Sequence, residues 1–381
     1  MIPVARPMLG EEEAAAAAAV ILSGWVAQGP RVAEFECAIA ERVGAEHAVA
    51  VSSCTAGLHL ALAVLGLGPG DEVILPSLSF IATANAARYV GATPVFADVD
   101  EATQNLTPET IAAAITTATR AVILVHQAGI PADIEAVTQL CNSHGIAVIE
   151  DAACAIGSTY RGQLIGRHSD LVVFSFHPRK VITTGEGGMI TTSRSEWATR
   201  ARRLREHGMS ISAADRHQSR QPVVESYLET GFNFRMTDIQ AAVGLVQLGR
   251  LDTLVQRRRM LAERYQELLA GVPGLRFAGD PPYGTTNYQS FWVVLPPDFP
   301  VDRNELMRLL TERNVSPRRG IMAAHLEPAF AGAGRLRLPV TERLTRDSLI
   351  LPLFHEMTEE QQDSVAEVIA EAAGMSLPAV G

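Results

Sequence analysis

Short apolar runs recur along the first half of the chain, and segments with helical spacing of apolar residues separate them. We interpret seven of these runs as strands: His47 to Ser52, Glu72 to Leu75, Pro94 to Ala97, Ala121 to Val125, Ile146 to Glu150, Leu171 to Phe176 and Gly188 to Thr192. Intervening segments such as Gly57 to Leu65 and Pro108 to Ala118 fit helices. The alternation predicts an α/β fold, in which helices cover both faces of a mainly parallel seven-stranded sheet.

The later part of the chain predicts a second, smaller unit. A chain of 381 residues exceeds what one hydrophobic core usually serves, so we expect two domains. A helix from Leu248 to Leu269 is the predicted connector. We therefore expect a large domain over residues 1–250 and an α+β domain over 251–381, whose predicted elements are a strand at Phe291 to Leu295 and helices at Arg303 to Arg313 and Glu359 to Ala373.

Composition narrows the classes of function. A net charge of −10 argues against a surface for nucleic acid or for an anionic membrane, so an anionic ligand must be held by local arginines and backbone amides. The four cysteines form no Cys-x-x-Cys pair and the ten histidines show no metal-type spacing, so we expect no metal. The apolar segment Ala14 to Leu22 is too short to span a bilayer, and we expect a cytoplasmic protein.

Two clusters of arginines and one long polar segment follow the predicted sheet. The arginines lie at 200–205 and at 257–259, and we interpret both groups as solvated helix faces. The segment from Ser210 to Tyr227 is polar and partly charged, which predicts a long surface loop. Loops of this length often cover binding sites.

One lysine follows an apolar strand directly and enters a turn-rich segment. Lys180 lies between the strand end at Ser175 and the glycines Gly185, Gly187 and Gly188. An amine that forms a Schiff base needs a fixed position and neighbours that lower its pKa. Lys180 is therefore our candidate catalytic residue.

A carboxylate at the end of another strand adds to this interpretation. The run Ile146 to Glu150 ends at Asp151, where a parallel strand presents an acid at its carboxyl end. Pyridoxal 5'-phosphate requires two such residues: a lysine that bonds its aldehyde, and an aspartate that keeps its pyridine nitrogen protonated. The two residues together predict a pyridoxal-phosphate enzyme, with pyridoxamine 5'-phosphate as the amino-carrying form.

The segment Ser52 to Gly57 is the predicted phosphate site. It follows a strand and opens a helix, so hydroxyl groups and backbone N–H groups meet at a positive helix end. By contrast, the glycines at 66, 68 and 70 precede a strand, and the context that a dinucleotide fingerprint requires is missing. We interpret those glycines as a turn.

With these motifs in view, the sequence resembles the sugar aminotransferases of the DegT/DnrJ/EryC1/StrS family, which are pyridoxal-phosphate enzymes of fold type I. The resemblance covers nearly the whole chain, and several long motifs in the right order are far more specific than one. The segments that carry it are Ser23 to Trp25, Gln28 to Pro30, Ser52 to Leu58, Pro76 to Phe80, Glu150 to Ala153, Ser175 to Gly188, Gly231 to Ala242 and Leu351 to Phe354.

The resemblance implies roles for further residues. Cys54, Thr55 and Ser175 match positions that bind the cofactor phosphate, and Phe80 matches the aromatic residue that stacks on the pyridine ring. Cys154 stands where many relatives carry glutamine or histidine to contact the phenolic oxygen, and a thiol is a weaker donor.

The remaining implied residues concern the partner subunit and the substrate. Asn233 matches an asparagine that reaches the cofactor phosphate of the other subunit, so we expect a homodimer with shared active sites. Trp25, Gln127, Arg235 and His325 match positions near the substrate. On sequence alone, Arg235 pairing with an acid such as Asp238 is the ordinary alternative.

The implied reaction is the transfer of an amino group, with glutamate as the expected donor, to a keto sugar carried on a nucleotide diphosphate. Two alternatives stay open: amination of a non-nucleotide ketone such as a keto-cyclitol, and a non-catalytic regulatory protein that has kept the fold. Lys180 together with Asp151 argues against the second. Family members that dehydrate sugars have histidine in place of this lysine, which also disfavours dehydration.

Overall fold

The computed structural model describes residues 1–212, 222, 224–330 and 336–375. The strands of the first half are β1 (His47–Val51), β2 (Glu72–Pro76), β3 (Thr93–Ala97), β4 (Thr119–Val125), β5 (Ala147–Asp151), β6 (Thr159–Tyr160), β7 (Gln163–Leu164), β8 (Leu171–Ser175) and β9 (Gly188–Thr192). Seven of them form one sheet in the order β1-β9-β8-β5-β4-β2-β3. Strand β9 is antiparallel to both of its neighbours, and the other adjacent pairs are parallel. The predicted mainly parallel seven-stranded sheet is confirmed.

The helices are α1 (Glu11–Ser23), α2 (Pro30–Val43), α3 (Cys54–Val64), α4 (Ala82–Tyr89), α5 (Pro108–Ala112), α6 (Ile134–Ser143), α7 (Ser195–Leu204), α8 (Asp238–Gly249), α9 (Leu251–Leu269), α10 (Arg303–Glu312), α11 (Pro339–Asp347) and α12 (Glu359–Ala372). Short 3-10 turns occupy Gln127–Gly129, Ala324–Leu326 and Pro328–Phe330. Among the helices so described, none has the length and hydropathy needed to cross a membrane.

Two predicted helices differ from those observed. The helix predicted over 108–118 ends at Ala112, because Thr116 and Thr119 instead bond each other's backbone in a turn. The connector predicted from Leu248 begins at Leu251, and Arg250 separates it from α8. Both differences concern helix ends, where local side-chain hydrogen bonds compete with the helix.

The core is divided between the two faces of the central sheet. Along β4, Val122 and Leu124 enter one apolar cluster, whereas Ile123 and Val125 enter the other. Successive side chains of a strand point to opposite faces, so β4 is apolar from Ala121 to Val125 because both sides of the sheet are covered there.

The C-terminal part of the chain contains the remaining strands, β10 (Arg276–Phe277), β11 (Gly284–Thr285), β12 (Phe291–Val294), β13 (Arg318–Arg319) and β14 (Ser348–Leu351). Four of them form an antiparallel sheet in the order β10-β12-β14-β13. Strand β11 instead pairs with β6, and Ile2 pairs with Val315, so the chain crosses between the two parts. The division at residue 250 stays a prediction.

The arginine clusters are less solvated than predicted. Arg205 is buried, where its guanidinium bonds the carboxylate of Glu36 and the carbonyl oxygen of Ala50. Arg258 is also buried and donates to three backbone carbonyl groups. The long loop predicted over 210–227 is described only in part: residues 213–221 and 223 lie outside the described residues.

Candidate active site

Residues predicted from separate motifs meet in one cavity at the carboxyl ends of the parallel strands. Asp151 ends β5 and Ser175 ends β8, and these strands are hydrogen-bonded neighbours. The cavity has a volume of about 400 Å³. The predicted site residues that line it are Cys54, Thr55, Phe80, Gln127, Asp151, Cys154, Ser175 and Lys180.

Lys180 lies in the turn after β8, with its amine directed at a sulfur atom. Its Nζ is 3.1 Å from Cys154 Sγ. Burial alone lowers the pKa of the lysine, but the nearby Cys154, Cys54 and Asp151 outweigh burial, and the net direction is upward. The expectation that the neighbours of this amine lower its pKa is therefore wrong for the protein without cofactor.

Asp151 is a buried carboxylate, 5% exposed. It accepts hydrogen bonds from the Thr83 hydroxyl at 2.9 Å and from the Ala153 N–H at 3.2 Å. Burial raises the pKa of Asp151, and the two hydrogen bonds and the charge of Lys180 oppose this rise without cancelling it. A cation placed beside this carboxylate would favour its ionised form. A protonated pyridine nitrogen would be such a cation.

The N-terminus of α3 fits a phosphate group. Ser53 caps the helix by accepting from the Ala56 N–H at 3.1 Å. Within the described residues, the backbone N–H groups of Cys54 and Thr55 have no acceptor. Unpaired N–H groups at the positive end of an 11-residue helix form a site for an anion, with the Thr55 hydroxyl and Ser175 beside it.

Two glycines allow this helix end to lie against the sheet. A Cβ atom at Gly57 would be 2.6 Å from Val173 on β8, and one at Gly188 would be 2.7 Å from the backbone nitrogen of Cys54. Both distances are far below van der Waals contact. The glycines thus set the position of the anion site relative to Asp151 and Lys180.

Phe80 and Gln127 lie on other walls of the cavity. The Phe80 ring is 56% exposed, so a flat ligand can reach its face. Gln127 is buried, and its side-chain amide donates to the carbonyl oxygen of Leu78. The latter contact ties the loop after β4 to the loop after β2.

The four other predicted site residues do not line this cavity. Trp25 Nε1 donates to the carbonyl oxygen of Gln28. Asn233 is exposed, and its backbone forms an isolated β-bridge with Glu206. Arg235 lies 3.7 Å from the carboxylate of Glu206. The buried His325 bonds Ser77 Oγ through Nδ1 at 2.6 Å.

Asp238 does not form the ion pair with Arg235 that the sequence left open. Its carboxylate accepts from the backbone N–H groups of Gly29, Arg31 and Val32 at the start of α2. It therefore satisfies the end of a helix and does not pair with Arg235. This contact joins the Trp25 loop to the start of α8.

Sequence reasoning missed several residues of the cavity. Thr83 bonds Asp151, and Arg179, Gln289 and Trp292 contribute to the lining. Thr83 lies three residues after Phe80, about one helical turn, and this spacing could have indicated that Thr83 faces the same cavity. Gln289 and Trp292 carry no motif, because only the packing of the two sheets brings β12 to the cavity. Among the described residues, no group of His, Cys, Asp and Glu has the arrangement of a metal site.

Comparison with known proteins agrees with this geometry. Residues 7–370 match the model of the DegT/DnrJ/EryC1/StrS aminotransferase family. The aminotransferase TlmJ from Streptoalloteichus hindustanus is 38% identical, with 98% of this chain and 99% of that chain covered and a TM-score of 0.90.

Two further solved structures are similar along almost their full length. DesI, solved in the presence of its TDP-sugar product, is 33% identical over 98% of this chain and 93% of that chain, with a TM-score of 0.88. The putative sugar aminotransferase Spr1654 from Streptococcus pneumoniae, in its PMP form, is 28% identical over 98% of this chain and 99% of that chain, with a TM-score of 0.92.

The fold and the family match define a pyridoxal-phosphate-dependent aminotransferase of fold type I. The chain belongs to the DegT/DnrJ/EryC1/StrS aminotransferase family. Its similar structures are sugar aminotransferases, one of them solved in both PLP and PMP forms.

Proposed function

We propose that this aminotransferase moves an amino group from glutamate to the ketone of a sugar linked to a nucleotide diphosphate. One observation supports the proposal above all others: Lys180 and Asp151 line the same cavity, Asp151 at the end of β5 and Lys180 in the turn after the neighbouring strand β8. DesI, which is 33% identical, was solved in the presence of its TDP-sugar product. We extend that substrate class to this chain.

The residues of the cavity would hold pyridoxal 5'-phosphate at three points. The N–H groups of Cys54 and Thr55, with Ser175, would bind the phosphate, and Asp151 would pair with the protonated pyridine nitrogen. Phe80 would cover one face of the ring. When bound, the cofactor accepts electron density from the substrate carbon and stores the amino group between the two half-reactions.

Lys180 would first bond the cofactor aldehyde and then, once the donor has displaced it, act as the acid and base. In the donor half-reaction its amine takes the proton from the donor α-carbon, and the donor leaves as a 2-oxo acid. In the acceptor half-reaction Lys180 returns a proton to the former ketone carbon of the sugar. Over both half-reactions, one amine becomes a ketone and one ketone becomes an amine, so no outside oxidant is needed.

The test compares wild-type enzyme with Lys180→Ala. Wild type loaded with pyridoxamine 5'-phosphate should convert a nucleotide-linked keto sugar and regain the absorbance of a lysine-bound cofactor. Lys180→Ala should bind the cofactor and lack both properties. Full transamination by Lys180→Ala would exclude the assignment. Turnover of keto-cyclitols alone would move the substrate class to non-nucleotide ketones.

We also propose a homodimer with shared active sites, in which Asn233 reaches the cofactor phosphate of the other subunit. Asn233 is exposed and lies away from the cavity of its own chain, which supports a contact between subunits. A C2 interface would give each site Lys180 from one chain and Asn233 from its partner.

Mixing inactive Lys180→Ala chains with inactive Asn233→Ala chains tests the shared site. A heterodimer would contain one wild-type site and one doubly altered site. Activity should return to about half the wild-type value per heterodimer when the sites act independently. No return of activity, with subunit exchange demonstrated, would place Asn233 within its own chain.

A further inference from the structure

Two arginines line the active-site cavity, and the described part of the chain offers neither of them an ionic partner. Arg179 precedes Lys180 in the turn after β8, and Arg318 lies on β13 of the C-terminal sheet. Within the described ranges, neither guanidinium takes part in an ion pair or a side-chain hydrogen bond. Their place in the cavity makes both of them cations available to a ligand.

The register of the C-terminal sheet directs Arg318 towards the cavity. Arg318 is opposite Ile350, which is opposite Trp292, and all three residues line the cavity. Cross-strand neighbours share a face, and the next residue along β13 therefore belongs to the other face. Arg319 does not line the cavity and lies 3.5 Å from the carboxylate of Glu327.

The backbone of Arg179 is held from two sides. Its N–H donates to the His177 ring at 3.2 Å, and its carbonyl oxygen accepts from Gln289 Nε2 at 3.2 Å. The side chain itself is exposed. The turn is therefore fixed, while the guanidinium remains free to meet a ligand.

Two buried polar atoms beside these arginines also lack partners. Gln289 is 8% exposed and Trp292 is 3% exposed, and both line the cavity. Among the residues that the structure describes, Gln289 Oε1 has no donor and Trp292 Nε1 has no acceptor. Buried polar atoms normally find partners, and the indole N–H of Trp292 can only donate, so it offers this wall a hydrogen bond to an acceptor ligand.

The charge of the cavity favours an anion as that ligand. Its cationic side chains are Lys180, Arg179 and Arg318, and its carboxylates are Asp151 and Glu186. Asp151 lies at the end of β5, and Glu186 is exposed and lies 3.9 Å from His177. Guanidinium groups match carboxylate and phosphate oxygens with paired hydrogen bonds.

We propose that Arg179 and Arg318 form a substrate anion subsite, separate from the cofactor-phosphate site at the N-terminus of α3. The anion is either a carboxylate of the amino donor or the diphosphate of the acceptor, which share this chemistry. The subsite rests on the proposed function, because it assigns these arginines to the substrates of that reaction. A ligand bound there would contact both the turn that contains Lys180 and the C-terminal sheet.

Calorimetric titration of the enzyme loaded with pyridoxamine 5'-phosphate tests the subsite without turnover. The probes are glutarate, a dicarboxylate with neither amine nor ketone, and thymidine diphosphate. Arg179→Gln and Arg318→Gln should each weaken binding of at least one probe by about tenfold, as expected for a lost charged hydrogen bond. Arg319→Gln is the matched control and should bind both probes as wild type does. Arg179→Lys and Arg318→Lys should restore part of the affinity.

The two probes identify the anion. If the glutamine variants lose affinity for glutarate alone, the subsite binds the donor. If they lose affinity for thymidine diphosphate alone, it binds the acceptor. If they lose affinity for both probes, the two half-reactions share the subsite. Unchanged affinity in both glutamine variants overturns the proposal, as does binding of neither probe by wild type. An equal loss in Arg319→Gln, or weaker cofactor binding in place of weaker probe binding, also overturns it. The Lys180→Ala test of the reaction does not depend on these affinities, so the two proposals can fail separately.

Discussion

The amine nitrogen of Lys180 lies 3.1 Å from the sulfur of Cys154, and Asp151 adds negative charge to the same cavity. These neighbours raise the pKa of Lys180 despite its burial. The pKa of the Cys54 thiol is raised well above its usual value, with burial as the main cause. Lys180 is therefore an ammonium group before the cofactor binds, and it must lose a proton to bond an aldehyde.

Removing the Cys154 sulfur should speed cofactor loading. Cys154→Ala deletes the leading interaction that raises the pKa of Lys180, so more of the amine is neutral near neutral pH. We expect loading of apoprotein with pyridoxal 5'-phosphate to become several-fold faster under those conditions. Stopped-flow absorbance across a pH series measures this, and Cys37→Ala, at an exposed cysteine, is the control. Equal pH dependence in Cys154→Ala and wild type would show that the sulfur does not govern the amine.

The hydroxyl of Thr83 should keep Asp151 ionised. Thr83→Val removes the 2.9 Å hydrogen bond that lowers the pKa of this buried carboxylate, so that pKa rises further. Because Asp151 must be ionised to pair with the pyridine nitrogen, the acid limb of the kcat/KM profile should move to higher pH. We also expect a rate loss of about tenfold, in line with a buried acceptor left unpaired. Thr83→Ser keeps the hydroxyl and should resemble wild type; a wild-type profile in Thr83→Val would contradict this role.

A methyl group at Gly188 should displace the anion site. The Cβ atom of Gly188→Ala would lie 2.7 Å from the backbone nitrogen of Cys54, so the first turn of α3 must shift. We expect a loss of about 1–3 kcal/mol in stability and weaker cofactor binding. Urea unfolding and cofactor titration measure the two effects. Gly249→Ala, whose Cβ would meet nothing within 4 Å, is the control and should cost nothing; unchanged cofactor affinity in Gly188→Ala would refute the close approach.

The buried pair of Arg205 and Glu36 should be sensitive to the loss of one partner. Arg205→Met leaves the carboxylate of Glu36 buried with Arg202, 3.7 Å away, as its remaining cation. Breaking a buried pair costs up to about 3–5 kcal/mol, and Arg202 should keep the loss towards the lower end of that range. The midpoint of urea unfolding should fall accordingly. Arg308→Met removes an arginine from an exposed pair with Glu305 and should leave the midpoint unchanged. Similar midpoints for the two variants would mean that Arg205 contributes no more than a surface arginine.

Local features of the chain determined the central sheet and the main chemical residues. The apolar runs around Val122 and Val173 predict buried strands because a short continuous apolar run is a signal that the local sequence carries by itself. Asp151 was found because it ends such a run, and Lys180 because it lies in the turn-rich segment that follows one. The structure places both in one cavity, as the rule for the ends of parallel strands requires.

Only the tertiary structure decided which distant residues complete the cavity and what charge they bear. Gln289 and Trp292 reach it because the C-terminal sheet packs against the strand ends, and no local pattern encodes that contact. The upward pKa shift of Lys180 depends in the same way on Cys154, which lies 26 positions earlier in the sequence. Residue types and strand periods are local properties of a sequence. Burial, pairing and electrostatic potential are sums over neighbours that the fold alone brings together.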